Sequence, residues 1–350
     1  MPLMRAARFD AASGRLDVQD VPVPQPGPLE VLVRVEACGI CLSDVHLLDG
    51  TLPPALPQVT PGHEPAGTVE AVGAQVPGWA RGDRVVLAGG RNCGRCRQCV
   101  RGLFEQCSAF EIMGFQYDGA WAQYVVVPFP TLATAPTTTT LTQAAVLADA
   151  VATPYAALVE RAALRPGESI GLWGIGGLGV HAVQIARLVG AAPIIAIDPL
   201  PSARDRALDR GADVALDPTT QDVVAEVQRL TGGQGLDVAV DLVGANAVLA
   251  QGAACLGRQG RVVMVGLSLD EISLGPGVFF GLQSQSLLGH LGYRKRHLDE
   301  LVTLVEAGRL DLAPSVSGTL PLADIGDGVE QLASKRGNPV RLVVLPWSGS

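Results

Sequence analysis

Between Gly171 and Gly190 the chain reads GLWGIGGLGVHAVQIARLVG. A buried-strand run, ESIGLW, enters a turn spaced Gly174-x-Gly176-x-x-Gly179, and an amphipathic helix leaves it. Glycine is common here, at 42 of 350 residues, so the spacing alone decides little. The order of strand, turn and helix is what gives it meaning. Gly174 permits the tight turn, Gly176 lets the backbone approach a pyrophosphate, and Gly179 lets helix and strand pack closely. Gly177 and Leu178 complete the turn, where the helix N-terminus offers N–H groups to an anion. The next apolar run, PIIAIDP, ends at Asp198, 19 residues beyond Gly179. A carboxylate there accepts hydrogen bonds from ribose hydroxyls and repels a 2′-phosphate, which favours NAD over NADP.

The same alternation continues. PSARDRALDRGA has helical spacing, and DVAVDLVG, RVVMVGL and SLLGHLG read as further strands. Strands alternating with helices imply a doubly wound parallel sheet. The first 150 residues differ in texture. LEVLVRVEACGI, GTVEAVG, GDRVVLA and AWAQYVVVP are short β-rich runs divided by Gly and Pro turns, which predicts a barrel-like β module. From Leu141 the stretch LTQAAVLADAVATPYAALVERAAL has helical apolar spacing. After residue 292 an amphipathic helix, HLDELVTLVEAGRL, precedes short strands in SVSGTLPL and VRLVVLP, which are candidates to rejoin the β module.

Four of the seven cysteines, Cys93, Cys96, Cys99 and Cys107, fall in the pattern Cys-x2-Cys-x2-Cys-x7-Cys. The N-terminus does not read as a signal peptide, which points to a reducing, cytoplasmic compartment. Clustered cysteines there favour a metal cage over disulfides. Four thiolates close a tetrahedral zinc shell and leave no position for a substrate. The net charge of -8 argues against nucleic acid as a partner. No apolar run is long enough to cross a membrane as a helix. Cys38 and Cys255 lie in apolar surroundings and read as core residues.

Two further segments, CGICLSDVHLLDG and TPGHEPAGTVEAVG, hold Cys41 and His63, ligand types that suit zinc. With these the whole chain resembles the zinc-dependent medium-chain alcohol dehydrogenases. Cys41 with Ser43, Asp44 and His46, and then Gly62-His63-Glu64, are similar to that family's two catalytic-zinc motifs, and the cysteine cluster and glycine turn follow in its order. The resemblance implies an α/β chain: a GroES-like β-barrel catalytic domain from residues 1–150 and 292–350, and a Rossmann NAD-binding domain from 151–291, with the active site in the cleft between them. It implies two zinc ions per chain and NAD. Cys93, Cys96, Cys99 and Cys107 would hold a structural zinc. Cys41 and His63 would hold the catalytic zinc, with Asp149 of LADAVATPY in the third position, where many members have Cys. Asp44 would orient His63, and Glu64 would approach the metal in some states. The proton of an alcohol would leave through Ser43, the cofactor ribose and His46. Thr153 and Val265-Gly266-Leu267 would meet the nicotinamide, and Arg341 the pyrophosphate.

Two positions depart from classical members of the family. Leu42 stands where some carry a phosphate-contacting Arg, and Gly89 where some carry a bulky pocket residue, so the stretch Ala88-Gly89-Gly90 predicts a roomier pocket. Trp121, Phe115, Tyr117 and Leu48 are candidate pocket walls. The implied activity is reversible hydride transfer between a small alcohol, secondary or bulky and apolar, and its carbonyl. A polyol or sugar dehydrogenase is the alternative within the superfamily, and a non-catalytic dinucleotide-binding protein the alternative outside it. By analogy the chain is a homo-oligomer, a tetramer or a dimer.

Overall fold

In the computed structural model, which describes residues 2–349, the β-rich N-terminal runs pair around one long strand, Glu30–Ile40. Val31, Val33, Val35 and Ile40 are fully buried in it, as is most of the strand. Such β-branched side chains pack well on a pleated surface. The strand pairs antiparallel with Glu64–Val72, with Tyr124–Pro128 and, from the C-terminal tail, with Leu342–Leu345. Arg84–Leu87, Leu132–Thr134 and Gly318–Pro321 complete a seven-stranded sheet. Leu3–Asp10 and Arg15–Pro22 form a hairpin that the sequence reading did not single out. The core of this sheet contains Val31, Val33, Val35, Ile40, Val85, Leu87, Trp121 and Val344. Each buried aliphatic side chain here contributes about 1.5–3 kcal/mol.

The second sheet is wholly parallel and has six strands. Their order is Val214–Leu216, Ile194–Ile197, Ile170–Trp173, Leu236–Asp241, Leu256–Met264 and Ser286–Gly289. Numbered along the chain, that is 3-2-1-4-5-6, the order of the dinucleotide-binding fold. The central strands Ile170–Trp173 and Ile194–Ile197 are buried at every residue, as expected of strands covered on both faces. Helix Gly179–Val189 follows the glycine turn and ends at Gly190, whose φ of 89° only glycine adopts without strain. The chain divides into two units, Met1–Ala152 with Arg294–Ser350, and Thr153–Tyr293. The first carries the antiparallel sheet and the second the parallel one.

The helical stretch after Leu141 is not one helix. It breaks into an α-helical piece, Leu141–Ala145, a 3-10 turn, Val146–Ala148, and then Ala152–Tyr155 followed by the π-helical Ala156–Arg161. Thr140 caps the first piece by accepting from Gln143 N. The break falls at Asp149, with φ -152° and ψ -58°, outside the helical region. Apolar spacing cannot reveal such a break, because Val146, Leu147, Ala148, Ala150 and Val151 are buried on both sides of it.

Candidate metal and dinucleotide sites

Sheet register assembles the first cluster. Gly39 lies opposite Glu64 in the antiparallel pair. Cys41 is therefore two residues past one strand position, and His63 one residue before its partner. Cys41 caps helix Leu42–Leu48, and its N–H donates to Asp44 Oδ2 at 2.8 Å. The other oxygen, Asp44 Oδ1, lies 3.3 Å from His63 Nδ1. Nδ1 is thus turned to a carboxylate, and His63 Nε2 stands 3.9 Å from Asp149 Oδ2 and 3.2 Å from Ser43 Oγ. The Cys41 thiol donates to Asp149 Oδ2 at 3.3 Å. The break that ends the 3-10 turn at Asp149 is what brings this carboxylate to Cys41.

Glu64 is fully buried, and so is Arg341 beside it, with Nε 3.2 Å from Glu64 Oε2. One Arg341 nitrogen, Nη1, also donates to Ile40 O at 3.0 Å. Ligand atoms of Cys41, His63, Glu64 and Asp149 all fall within 4.8 Å of one another. His63 Nδ1, Asp44 Oδ1 and both Glu64 oxygens are buried without a hydrogen bond of good geometry among the described residues.

The electrostatics are those of a cluster short of positive charge. Burial pushes the Glu64 carboxyl up to about 8, although Arg341 pulls the other way. Burial, and then Asp149, push the Cys41 thiol up. For His63, burial opposes protonation, but the neighbouring Asp44 carboxylate outweighs it and raises the ring well above its usual range. A divalent cation would reverse the first two shifts by favouring thiolate and carboxylate. Thiolate, imidazole and carboxylate together form a donor set that suits zinc and fits it here.

The second cluster is closed and all sulfur. Cys93, Cys96, Cys99 and Cys107 hold their Sγ atoms at separations of 3.5 to 3.9 Å where they meet. A disulfide requires about 2.05 Å. Zn–S bonds of about 2.3 Å in a tetrahedron put sulfur atoms about 3.8 Å apart. Backbone N–H groups of Cys93 and Ala109 point at Cys107 Sγ, each at 3.3 Å. The amides of Cys99 and Ser108 hold the Cys96 thiol well below its ordinary value. The lobe is tied back by the pairing of Gly90–Arg91 with Glu111–Ile112 and by the Arg91–Glu111 ion pair at 2.5 Å.

In the parallel-sheet unit, Gly174 has φ 89°, and a Cβ on Gly179 would lie 2.0 Å from Gly174 O. Both glycines are obligatory for the turn. Around Gly176 a Cβ would meet nothing within 4 Å, so the middle of the turn, with half-buried Gly177 and Leu178, borders open space. Asp198 accepts from Ile175 N and Leu200 N, both at 2.8 Å, which fixes its carboxylate at the turn and leaves each oxygen a second lone pair. Arg204, not singled out in the sequence, donates to the carbonyls of Asp198 and Pro199 and pairs with Asp217 at 3.2 Å. Val265 N and Gly266 N both donate to Asp241 O, while Leu267 is exposed. Thr153 is buried, with its carbonyl 3.2 Å from His290 Nε2.

The remaining candidates divide. His46 is half-buried, with Nδ1 3.7 Å from Asp49 Oδ2. Phe115 sets its ring edge-on to His63 at 5.9 Å. Leu48 packs with Phe9, Leu47 and Phe115. Two pocket-wall expectations are corrected: Trp121 and Tyr117 are core residues of the antiparallel sheet. Gly89 is also read differently. A Cβ there would lie 2.8 Å from His63 O, so glycine serves a close backbone approach and not an open pocket. No helix among the described residues is long and apolar enough to cross a membrane.

Family models match two stretches of the chain: the alcohol dehydrogenase GroES-like domain over residues 27–137 and the zinc-binding dehydrogenase over 177–307. An NAD-dependent alcohol dehydrogenase of Sulfurisphaera tokodaii is 34% identical over 94% of this chain and 96% of its own. Among solved structures, an alcohol dehydrogenase from Thermus sp. ATN1 superposes with a TM-score of 0.91 at 31% identity, covering 98% of this chain and 99% of its own. A zinc-binding dehydrogenase from Sinorhizobium meliloti 1021, bound to NADP, also reaches 0.91 at 29% identity, covering 99% of this chain and 100% of its own.

Two outcomes test the clusters. Asp149→Ala should lower the zinc content from two ions per chain to one while the fold persists by circular dichroism; a fully metallated variant removes Asp149 from the ligand set. Cys93→Ser should lower the thermal midpoint by about 5 °C or more, because a structural zinc contributes folding energy directly. Unchanged stability with selective loss of turnover would contradict that division of roles.

Proposed function

Because the chain belongs to the zinc-dependent medium-chain alcohol dehydrogenases, we propose that it is an NAD-dependent enzyme moving hydride reversibly between the carbinol carbon of a small secondary or bulky apolar alcohol and the nicotinamide. The observation that carries this reading is the meeting of Cys41, His63 and Asp149, three residues far apart in sequence that converge on one buried point. Zinc held there supplies Lewis acidity to the substrate oxygen and lowers the pKa of an alcohol. A set of three protein ligands leaves a further position for substrate, unlike the four-cysteine cluster.

The chain's own residues do the rest. Asp44 orients His63 by facing Nδ1, so Nε2 is directed at Cys41 and Asp149. The Ser43 hydroxyl, 3.2 Å from His63 Nε2, accepts the proton of the substrate hydroxyl as it releases its own. His46, half-buried beside Asp49, passes that proton to solvent. Glu64 sits within reach of the cluster and is paired with Arg341, whose Nε lies 3.2 Å from its Oε2. The turn Gly174–Gly179 receives the pyrophosphate, and Thr153 and Val265-Gly266-Leu267 face the nicotinamide.

Two features support NAD over NADP. Asp198 presents a carboxylate where a ribose 2′-substituent would lie. Arg204, the cation nearest it in sequence, is held by Asp217 and two carbonyls, so its guanidinium is not free for a 2′-phosphate.

A homo-oligomer is part of the same reading. Among the described residues strand Ser286–Gly289 pairs on one side only, and Leu269, Val278, Phe279 and Leu282 before it and Leu291 after it in sequence are exposed. An open sheet edge beside apolar side chains is covered by a second copy of the chain.

A substrate panel with NAD decides the activity. Secondary and bulky apolar alcohols should be turned over and polyols poorly; polyols as the best substrates would replace this reading with its alternative. Asp198→Ala should raise the NADP-to-NAD ratio of kcat/KM about tenfold, about 1.4 kcal/mol, and a wild type that already uses both equally refutes the cofactor argument. Light scattering should give a multiple of the chain mass, and Leu282→Asp should shift it towards the monomer; a monomeric wild type ends the oligomer proposal.

A further inference from the structure

Trp121 is fully buried, and its contacts are unusual for a core aromatic. Its indole Nε1–H donates to Gly39 O at 3.3 Å. Gly39 lies two residues before Cys41. On its other flank the ring lies against Gly62, the residue before His63. A Cβ on Gly62 would stand 2.4 Å from Trp121 Cδ1, and Gly62 has φ 94°, so the ring occupies the space a side chain would need.

The backbone of Trp121 is held as tightly as its side chain. Trp121 N donates to Pro61 O at 3.0 Å, and Ala120 N to Gly62 O at 2.8 Å. Trp121 O accepts from Ala7 N at 2.8 Å. The segment Gly119–Trp121 therefore braces Thr60–Gly62, while the indole reaches across to the end of strand Glu30–Ile40. One side chain grips both limbs that deliver ligands to the same point.

We propose that Trp121 is a positioning residue that ties the Cys41 limb to the His63 limb through its indole N–H and ring, so that metal retention and turnover at that site depend on it. The proposal rests on the reading of Cys41, His63 and Asp149 as catalytic-zinc ligands. A ligand set performs only when its donors are held close to the productive geometry by supporting contacts, and outer hydrogen-bond partners are typically worth tenfold or more in metal affinity. The N–H separates this role from packing, because a phenyl ring fills much of the same core space and donates nothing.

Trp121→Phe and Trp121→Leu test it on the zinc-loaded enzyme. Zinc released to a chelator is followed with time, alongside thermal unfolding, kcat and KM. In Trp121→Phe, one of the two zinc ions should leave about tenfold faster, the other at the wild-type rate. The same variant should lose kcat with little change in KM for NAD and keep a near-native thermal midpoint. Trp121→Leu should worsen the zinc release further. A Phe variant that matches wild type in zinc release and kcat overturns the proposal. So does one that fails to fold or loses both ions faster in parallel, since either assigns Trp121 to packing alone. A wild type lacking the second zinc refutes the functional reading itself; a two-zinc wild type with an indifferent Phe variant refutes only the clamp.

Discussion

The geometry of the metal cluster depends on one buried carboxylate. Asp44 has no exposed surface, and an ionised carboxylate taken out of water costs several kcal/mol unless its oxygens find partners. Here one oxygen accepts the Cys41 N–H and the other faces His63 Nδ1. Asp44 thus joins the first turn of a helix to the residue that opens the next strand of the sheet. The register that sets Gly39 opposite Glu64 brings those two chain segments together. Asp44 then fixes their rotation, and both effects are needed. Sheet pairing alone would deliver Cys41 and His63 to the same neighbourhood without aiming Nε2 at Asp149.

Charge explains why the cluster is built from these residue types. Cys41, Asp44, Glu64 and Asp149 can each carry a negative charge, whereas Arg341 is the fixed positive charge paired with Glu64. Buried groups in such an excess either take up protons or recruit a cation. The raised Glu64 and Cys41 are the first response, and a divalent ion is the second. The four-cysteine cluster answers the same problem with backbone amides, whose N–H groups point at sulfur. That arrangement suits a permanent ion. The mixed cluster, with Glu64 and Arg341 packed at its margin, retains groups that are not committed to a closed shell.

Much of this was legible in the sequence because it follows from local pattern. The strand–turn–helix at Gly174–Gly179 and the alternation of strands after it fix the parallel sheet. The cysteine spacing, together with an expected reducing compartment, favoured a cage at Cys93 to Cys107. Cys41, His63 and Asp149 were different. They are 22 and 86 residues apart in turn, and no periodicity links them. They were reached through resemblance to a family, and only the fold brings them together. Three things had no local signal at all. The helix break at Asp149 is masked by apolar residues buried on both sides. Arg204 looks like one more surface cation on a helix. Arg341 looks like a strand residue near the C-terminus, and its burial against Glu64 depends on the tail strand pairing with Glu30–Ile40.

Glycine shows most clearly why sequence reading stops where it does. Gly39, Gly62 and Gly89 are small because the space of the missing side chain is already taken, by Glu64, by Trp121 and by the His63 carbonyl. Gly176 is small beside space that is open. In the first case glycine turns inward and brings protein groups within reach of one another. In the second it leaves the backbone accessible to a ligand. The letters are identical, and a glycine read as room for substrate at Gly89 proved to be room for the main chain of a metal-ligand candidate. What a glycine is for is decided by what stands where its Cβ would be, and that is a property of the fold.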